Sequence, residues 1–331
     1  MLARLVVLAV VVLGSSVAHA QLLSNRGPPQ FRLVHRNALA VRINPLGLLY
    51  DGKLMARVRL YESQSTALRD NFVSFGASLG ASPAFLRAGG YVEVQPLTVF
   101  SAFALYEVVS YFGSINLLQS FPGARSDASD SAIRTLGALP ATDPRRHYPG
   151  TGSMLTLGAN LVLKLGPIVV RDTVRLLRPD FNLRAGDTVL YDQFYDVVMP
   201  NRRFSIVNDA DVLFQTNFGL VVGARYNLSI PLYGDENYVA LGPYSGDNSS
   251  HRLGPLIAFR FFDTDGNAFN QPTVALVLNW YLKHPYRTGQ DTPQGLPYIG
   301  LAFTFVGDLV PLPPEPSAKA EEKAPAAAPR K

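Results

Sequence analysis

The side chains best suited to chemistry are few and scattered. Beyond the first twenty residues the chain carries four histidines, His35, His147, His251 and His284, with Ser249 and Ser250 directly before His251. A serine activated by a histidine base would give a nucleophile for acyl transfer. Adjacent side chains on a loop rarely hold nucleophile and base within reach of each other, so no catalytic residues are assigned. Asp263-Thr264-Asp265-Gly266-Asn267 begins like a calcium loop, but the bidentate acid required at the twelfth position would be Val274, and a tight turn is the better reading. The chain has no cysteine, which removes lipoprotein attachment, disulfides and thiolate metal sites together. Neither a cofactor nor a metal is expected. What remains is a set of cations, Arg42, Arg57, Arg59, Arg87, Lys164, Arg171, Arg175, Arg225, Arg260 and Lys283, against Glu93, Asp209 and Asp211. Gathered on one wall, these would concentrate phosphate-like or carboxylate solutes.

Only strands can gather them. The 331 residues are 47% hydrophobic and 17% charged, thin in charge against the roughly 25% of soluble domains. No stretch after residue 20 has the run of uncharged apolar residues that a spanning helix needs. A chain this apolar without such helices can satisfy its backbone in lipid by closing a sheet into a barrel. Period-two segments support that. Leu155, Leu157, Ala159, Leu161, Leu163 and Leu165 oppose Thr156, Gly158, Asn160 and Lys164. Phe218, Leu220, Val222, Ala224, Tyr226 and Leu228 oppose Gly219, Val221, Gly223, Arg225 and Asn227. Val274, Leu276, Leu278, Trp280 and Leu282 oppose Thr273, Asn279, Tyr281 and Lys283. A secreted sandwich shares the period, but its polar face is usually richer in charge. The overall charge of +5 comes with no arginine-rich helix and no aromatic platform, so nucleic acid is not an expected partner.

The last such segment has Tyr298, Gly300, Leu301, Phe303 and Phe305 at alternating spacing. It resembles the closing strand of bacterial outer-membrane β-barrels, where this pattern is the assembly signal; no subfamily is matched. The resemblance implies an all-β, single, transmembrane, antiparallel up-and-down barrel, and barrel-assembly machinery, periplasmic chaperones and outer-membrane lipids as partners. Counting between turn signals gives strands near 37–49, 53–63, 71–81, 85–95, 97–111, 152–165, 167–178, 203–215, 218–229, 254–263, 272–283 and 296–307. Short turns are expected at Tyr50-Asp51-Gly52, Gln95-Pro96 and Gly166-Pro167, near Thr216-Asn217 and at 263–270. Long loops are expected at 113–150, 179–202, 231–252 and 284–295. The segment Thr188 to Val198 also reads as β; as a hairpin arm it leaves twelve strands, and as a spanning pair it makes fourteen. Tyr111, Phe112, Trp280, Tyr281 and Tyr298 read as interfacial girdles.

The domain plan is a signal peptide at 1–20, a short lead at 21–36, a barrel at 37–308 and a disordered Pro/Ala/Lys-rich tail at 309–331. The signal rests on Arg4, the apolar run Leu5 to Leu13 and Ala18-His19-Ala20 before Gln21. It implies export to the outer membrane of a Gram-negative bacterium, with the tail in the periplasm in possible contact with the cell wall. In this register the cations face the lumen and Glu107 faces lipid, which suggests a bulge. Three functions follow: a small porin-like pore or binding barrel favouring anionic solutes; a plugged structural, ligand-binding or lipid-binding barrel; and a rim hydrolase acting on lipids. His251 and His284 are candidates for the third, but neither matches the His-x-Ser spacing of the outer-membrane phospholipases.

Overall fold

The computed structural model describes residues 29–264, 266–288 and 295–310. The expected signal peptide and the tail from 311 lie outside the described residues. Twelve strands close on themselves: β1 (Phe31–Ile43), β2 (Gly47–Val58), β3 (Phe72–Ala81), β4 (Phe85–Leu97), β5 (Phe100–Phe112), β7 (Pro149–Leu165), β8 (Ile168–Phe181), β11 (Ser205–Gln215), β12 (Leu220–Pro231), β13 (Ser250–Arg260), β14 (Asn270–Lys283) and β15 (Tyr298–Asp308). Each barrel strand pairs antiparallel with its neighbours, and β1 meets β15 with Leu39 opposite Phe303 and Arg42 opposite Gly300. Three short strands, β6 (Ser120–Phe121), β9 (Val189–Asp192) and β10 (Val197–Pro200), form a separate small sheet in the order β10-β9-β6, and the helix α1 (Asp130–Gly137) lies between β6 and β7. The segment Thr188 to Val198 is therefore a hairpin arm, and the count stays at twelve.

Alternation decides the two faces. Leu39, Val41 and Ile43 of β1, Val212 and Phe214 of β11, and Leu301 of β15 are exposed. Ser78, Glu107, Thr173 and Asp211, on the opposite parity of their strands, are buried. An apolar exterior around a polar interior, with every strand paired and no free edge, is what a lipid-immersed sheet requires. At one end the rings of Phe262, Phe269, Phe303 and Phe305 form a chain, with Phe269 and Phe305 5.0 Å apart, as an interfacial girdle would. No helix among the described residues is long and apolar enough to cross a membrane, which says nothing of strands.

The short connections after β4, β7, β11 and β13 share one end of the barrel with the first residue of β1 and the last of β15; we call it the terminal end. The long connections after β5, β8, β12 and β14 share the other, the loop end. The first turn departs from expectation. It falls at 44–46, and Asp51-Gly52 lies inside β2. Asp-Gly reads as a hairpin signal, yet here Asp51 turns inward to Lys53 and Arg87, and Gly52 makes room for an aromatic. A Cβ at Gly52 would stand 2.6 Å from the Tyr50 hydroxyl. β1 accordingly starts at Phe31 rather than 37, which puts Arg32 and Arg36 on the wall. Pro96 lies within β4, where the pairing with β5 shifts register between Val94 and Leu97. That shift is far from Glu107, which faces the lumen at 1% exposure rather than lipid.

Candidate functional site: a plugged lumen above a basic cavity

The lumen is crossed by ion pairs. Asp211 accepts from Arg171 and Arg225, at 3.0 Å from Arg171 Nε and 2.8 Å from Arg225 Nε. Asp209 accepts from Arg175 Nη1 at 3.0 Å and Asn227 Nδ2 at 2.8 Å, and Arg252 donates to Asn227 Oδ1 at 2.9 Å. Asp51 holds Arg87 at 2.6 Å and Lys53 at 2.5 Å, while Glu107 accepts from Ser78 at 2.9 Å and lies 3.6 Å from Arg87 Nε. A further chain runs Thr173 to Asn160 to Ser101 to Glu93, each hydroxyl or amide donating to the next at 2.9 to 3.0 Å. Such networks are expected where charge is taken out of water, because an unpaired buried ion costs several kcal/mol.

These observations place the cations anticipated from sequence. Arg42, Arg57, Arg87, Arg171, Arg175 and Arg225 lie on the inner face. Arg59, Lys164 and Arg260 sit at the terminal rim, with Glu62, Gln215 and Asp263 as partners. Lys283 sits at the loop-end rim on Asp247 and Ser249. Asp51 and Glu107 join Glu93, Asp209 and Asp211 inside, as Arg32, Arg36, Lys53 and Arg252 join the cations, so most of the interior charge is met by an opposite partner. Asp51 was hidden in a supposed turn, and Glu107 was given the wrong face.

The loop end is filled by the chain itself. Leu117, Leu118 and Phe121 from the β5–β7 connection and Val189, Leu190, Tyr191, Val197, Val198 and Met199 from the β9–β10 arm pack in one buried core with Phe85, Val109, Tyr111, Met154, Leu177 and Phe181 of the wall. Each fully buried Leu or Met here contributes about 1.5–3 kcal/mol relative to exposure. Tyr111 thus belongs to this core and not to a girdle, whereas Phe112 and Trp280 do face outward. The tip of the arm, 193–196, enters the mouth. Arg42 donates to the carbonyl oxygens of Gln193 and Phe194, at 2.6 Å for the latter, and the Arg87 guanidinium lies 5.1 Å from the Phe194 ring. Tyr195 stands among Arg175, Arg87 and Glu107. One tip therefore reaches wall strands from β1 round to β8.

A latch holds it there. Arg287, in the β14–β15 connection, donates to Asp196 through Nε at 2.8 Å and Nη2 at 3.0 Å, and to Asp130 of α1 through Nη1 at 2.7 Å. Tyr191 donates to Asp196 Oδ1 at 2.7 Å, and the Tyr281 hydroxyl of the wall lies 2.7 Å from Oδ2. Four connections and a wall strand meet at one carboxylate, because Arg287 also reaches Asn44 of the first turn at 3.3 Å. Burial would raise the Asp196 carboxyl, but Arg287 and then His284 outweigh it and hold it well below the carboxylate range. His284 is buried beneath the latch, and burial pushes its pKa down. The Tyr286 N–H donates to Nδ1, so Nε2 carries the proton and faces the Asp196 carbonyl at 3.1 Å. That histidine is structural to the plug and not a rim group. Tyr281 and Tyr298 likewise face inward, the latter under the Arg252 guanidinium at 4.6 Å.

Other sequence candidates separate. Ser250 and His251 are successive residues of β13 and take opposite faces; His251 bonds Tyr226 on the outside. Asp263 is engaged by Arg260 and Gln271, as a turn rather than a calcium loop would have it. Of the closing pattern, Tyr298 and Gly300 face the lumen and Leu301, Phe303 and Phe305 face out. A Cβ at Gly300 would come within 2.9 Å of the Tyr298 ring, so glycine is what lets that ring lie flat. The exterior also carries polar pairs that pattern reading passed over, Asn208 with Asp172 and Tyr50 with Asn37.

At the terminal end, below the network, opens a cavity of about 130 Å³ whose charged lining is Arg32, Arg36, Arg57 and Arg59 with Asp70, Glu93 and Asp308. Arg32 and Arg36 lay in the supposed lead, and Arg252 and Arg287 in supposed loops. The parity of Arg32, Arg36 and Arg42 was the available signal for the first two.

No family model and no curated protein matches this chain. Solved structures with a similar barrel include an outer-membrane channel from Pseudomonas putida F1 (9% identity, TM-score 0.39, covering 85% of this chain and 96% of that one). The β domain of the Bordetella autotransporter BrkA aligns at 11% identity and TM-score 0.39, over 84% and 99%. LpxR from Salmonella typhimurium aligns at 12% identity and TM-score 0.34, over 82% and 99%. At such identity and superposition no function is transferred from any of them.

Proposed function

We propose that this protein is an outer-membrane barrel closed at its extracellular end by its own loops, with an interior accessible to small anionic ligands from the periplasm. In this orientation the terminal end faces the periplasm and the loop end faces outward, following the usual pairing of short periplasmic turns with long outer loops. The observation that carries the reading is the Asp196–Arg287 latch, which pins the arm tip inside the mouth against Arg42, Arg87 and Tyr281. It favours the plugged binding barrel over the open pore, since the ion pairs beneath the tip leave the lumen filled by side chains. The basic groups serve first to pair the interior and second to favour anions at the periplasmic mouth.

Fractionation and liposome swelling test this together. The wild-type protein should be heat-modifiable on gels, fractionate with the outer membrane, and admit no small sugars or organic anions into proteoliposomes. Rapid swelling by wild type would overturn the closed reading, and a soluble periplasmic protein without heat modifiability would overturn the location.

A further inference from the structure

We infer that the terminal-end cavity is a binding site for a phosphate-type oxyanion, with Arg57 as its central ligand. The inference rests on the closed reading above only in that the ligand enters from the terminal end. Four guanidinium groups border the cavity, and three have carboxylates: Arg32 donates to Asp308 at 2.6 and 2.8 Å, Arg36 lies 3.5 Å from Glu93, and Arg59 pairs with Glu62. Arg57 differs. Its guanidinium carbon lies 4.2 Å from the centre of the Phe72 ring, its Nε is buried without an acceptor, and among the described residues it has no hydrogen-bond partner. Its nearby carboxylate, Glu93, is already taken by Arg36 and Ser101. Stacking on an aromatic face fixes the plane of the fork, and a planar fork with free N–H donors matches two oxygens of a phosphate or sulfate. The Nε atoms of Arg59 and Arg87 also lack acceptors, but those guanidinium groups are paired through Nη2, and a fork with no acceptor on any of its donors is the one that calls for an outside partner. Arg36 and Arg59 flank the same space and would supply further positive potential.

The site can be tested by thermal unfolding of the purified full-length barrel, titrated with inorganic phosphate against chloride at matched ionic strength. Phosphate should raise the midpoint of wild type. Arg57→Gln should weaken the phosphate response by at least about tenfold, as loss of a charge-assisted bidentate contact does. Without phosphate, Arg57→Gln should melt no lower than wild type, because it removes an unpaired buried charge. Arg202→Gln, at the exposed loop end, should respond like wild type. Glycerol phosphate added in a second series separates sources: competition by it points to a lipid headgroup or phosphoester, and its exclusion to the free ion. An equal phosphate response in wild type and Arg57→Gln would overturn the site, as would none in wild type. Swelling assays on the same preparations keep the two readings apart, since a barrel that binds yet conducts sinks only the closure.

Discussion

The two ends of this barrel solve the same problem in opposite ways. At the loop end, the buried Asp196 carboxylate is fully paired: Arg287 lies on both oxygens with two tyrosine hydroxyls beside it, set in an apolar core of Leu118, Leu190 and Met199. At the terminal end, arginines outnumber the acids they meet and Arg57 keeps its Nε without an acceptor. Burial with pairing makes a closure that is costly to open, whereas burial without it leaves a demand for an outside partner. A count of lumen charges says little until each is assigned an end.

Breaking the paired end should have the largest consequence. Arg287→Ala leaves Asp196 buried and unpaired, and should cost about 3–5 kcal/mol of plug stability. Limited proteolysis should then cut the loops while the barrel stays heat-modifiable; unchanged protection would show that the latch is incidental. Leu190→Ala, which touches only the apolar part of the plug, should cost about 2–4 kcal/mol by leaving a cavity. Its effect should appear in the same proteolysis assay and leave the phosphate response at the terminal end unaltered.

Acidification sharpens the comparison more gently. His284 faces Asp196 from the arm, Arg287 and Tyr286 from its own connection, Arg252 from β13 and Tyr281 from β14. Burial depresses its pKa below the ordinary value of about 6.5, so the folded plug holds the neutral imidazole. Its contribution is therefore complete above about pH 6.5 and is lost as pH falls below that toward the depressed folded pKa. Asp196 adds a loss of the same sign only below the ordinary carboxylate range, near pH 3.9. Loop protection should decline between pH 7.5 and 5.5, and a gain over that interval would contradict the assignment. The smallest effect belongs to the exposed Arg203–Glu236 pair on the loop-end surface: Arg203→Ala should change neither protection nor melting measurably.

Much of the architecture was legible because it follows from period two. The faces of β7, β12 and β14, the turn at Gly166-Pro167 and the twelve strands could be read from alternation and punctuation. The errors came where a local signal competed with tertiary use. Asp51-Gly52 looks like a turn but supplies a lumen acid and a seat for Tyr50. Glu107 took the wrong face because the strand was started at 97, whereas Leu97 belongs to β4 and β5 begins at Phe100, and an odd offset in register inverts a whole strand. A plugged barrel was among the readings, but the residues that latch it were not legible, because Arg287, Asp196 and Asp130 are far apart in sequence and meet only when three loops fold inward. Of the basic wall read from sequence, Arg57 borders the terminal-end cavity, while Arg171, Arg175 and Arg225 pair with Asp209 and Asp211.

Single-channel recording of wild type beside Arg287→Ala in planar bilayers tests the central claim most directly. Wild type, with both the arm tip and the ion pairs beneath it filling the lumen, should show no stable conductance, and the variant, which keeps those ion pairs, should show at most brief openings as the tip leaves the mouth. Steady openings of equal size from both proteins would contradict that claim.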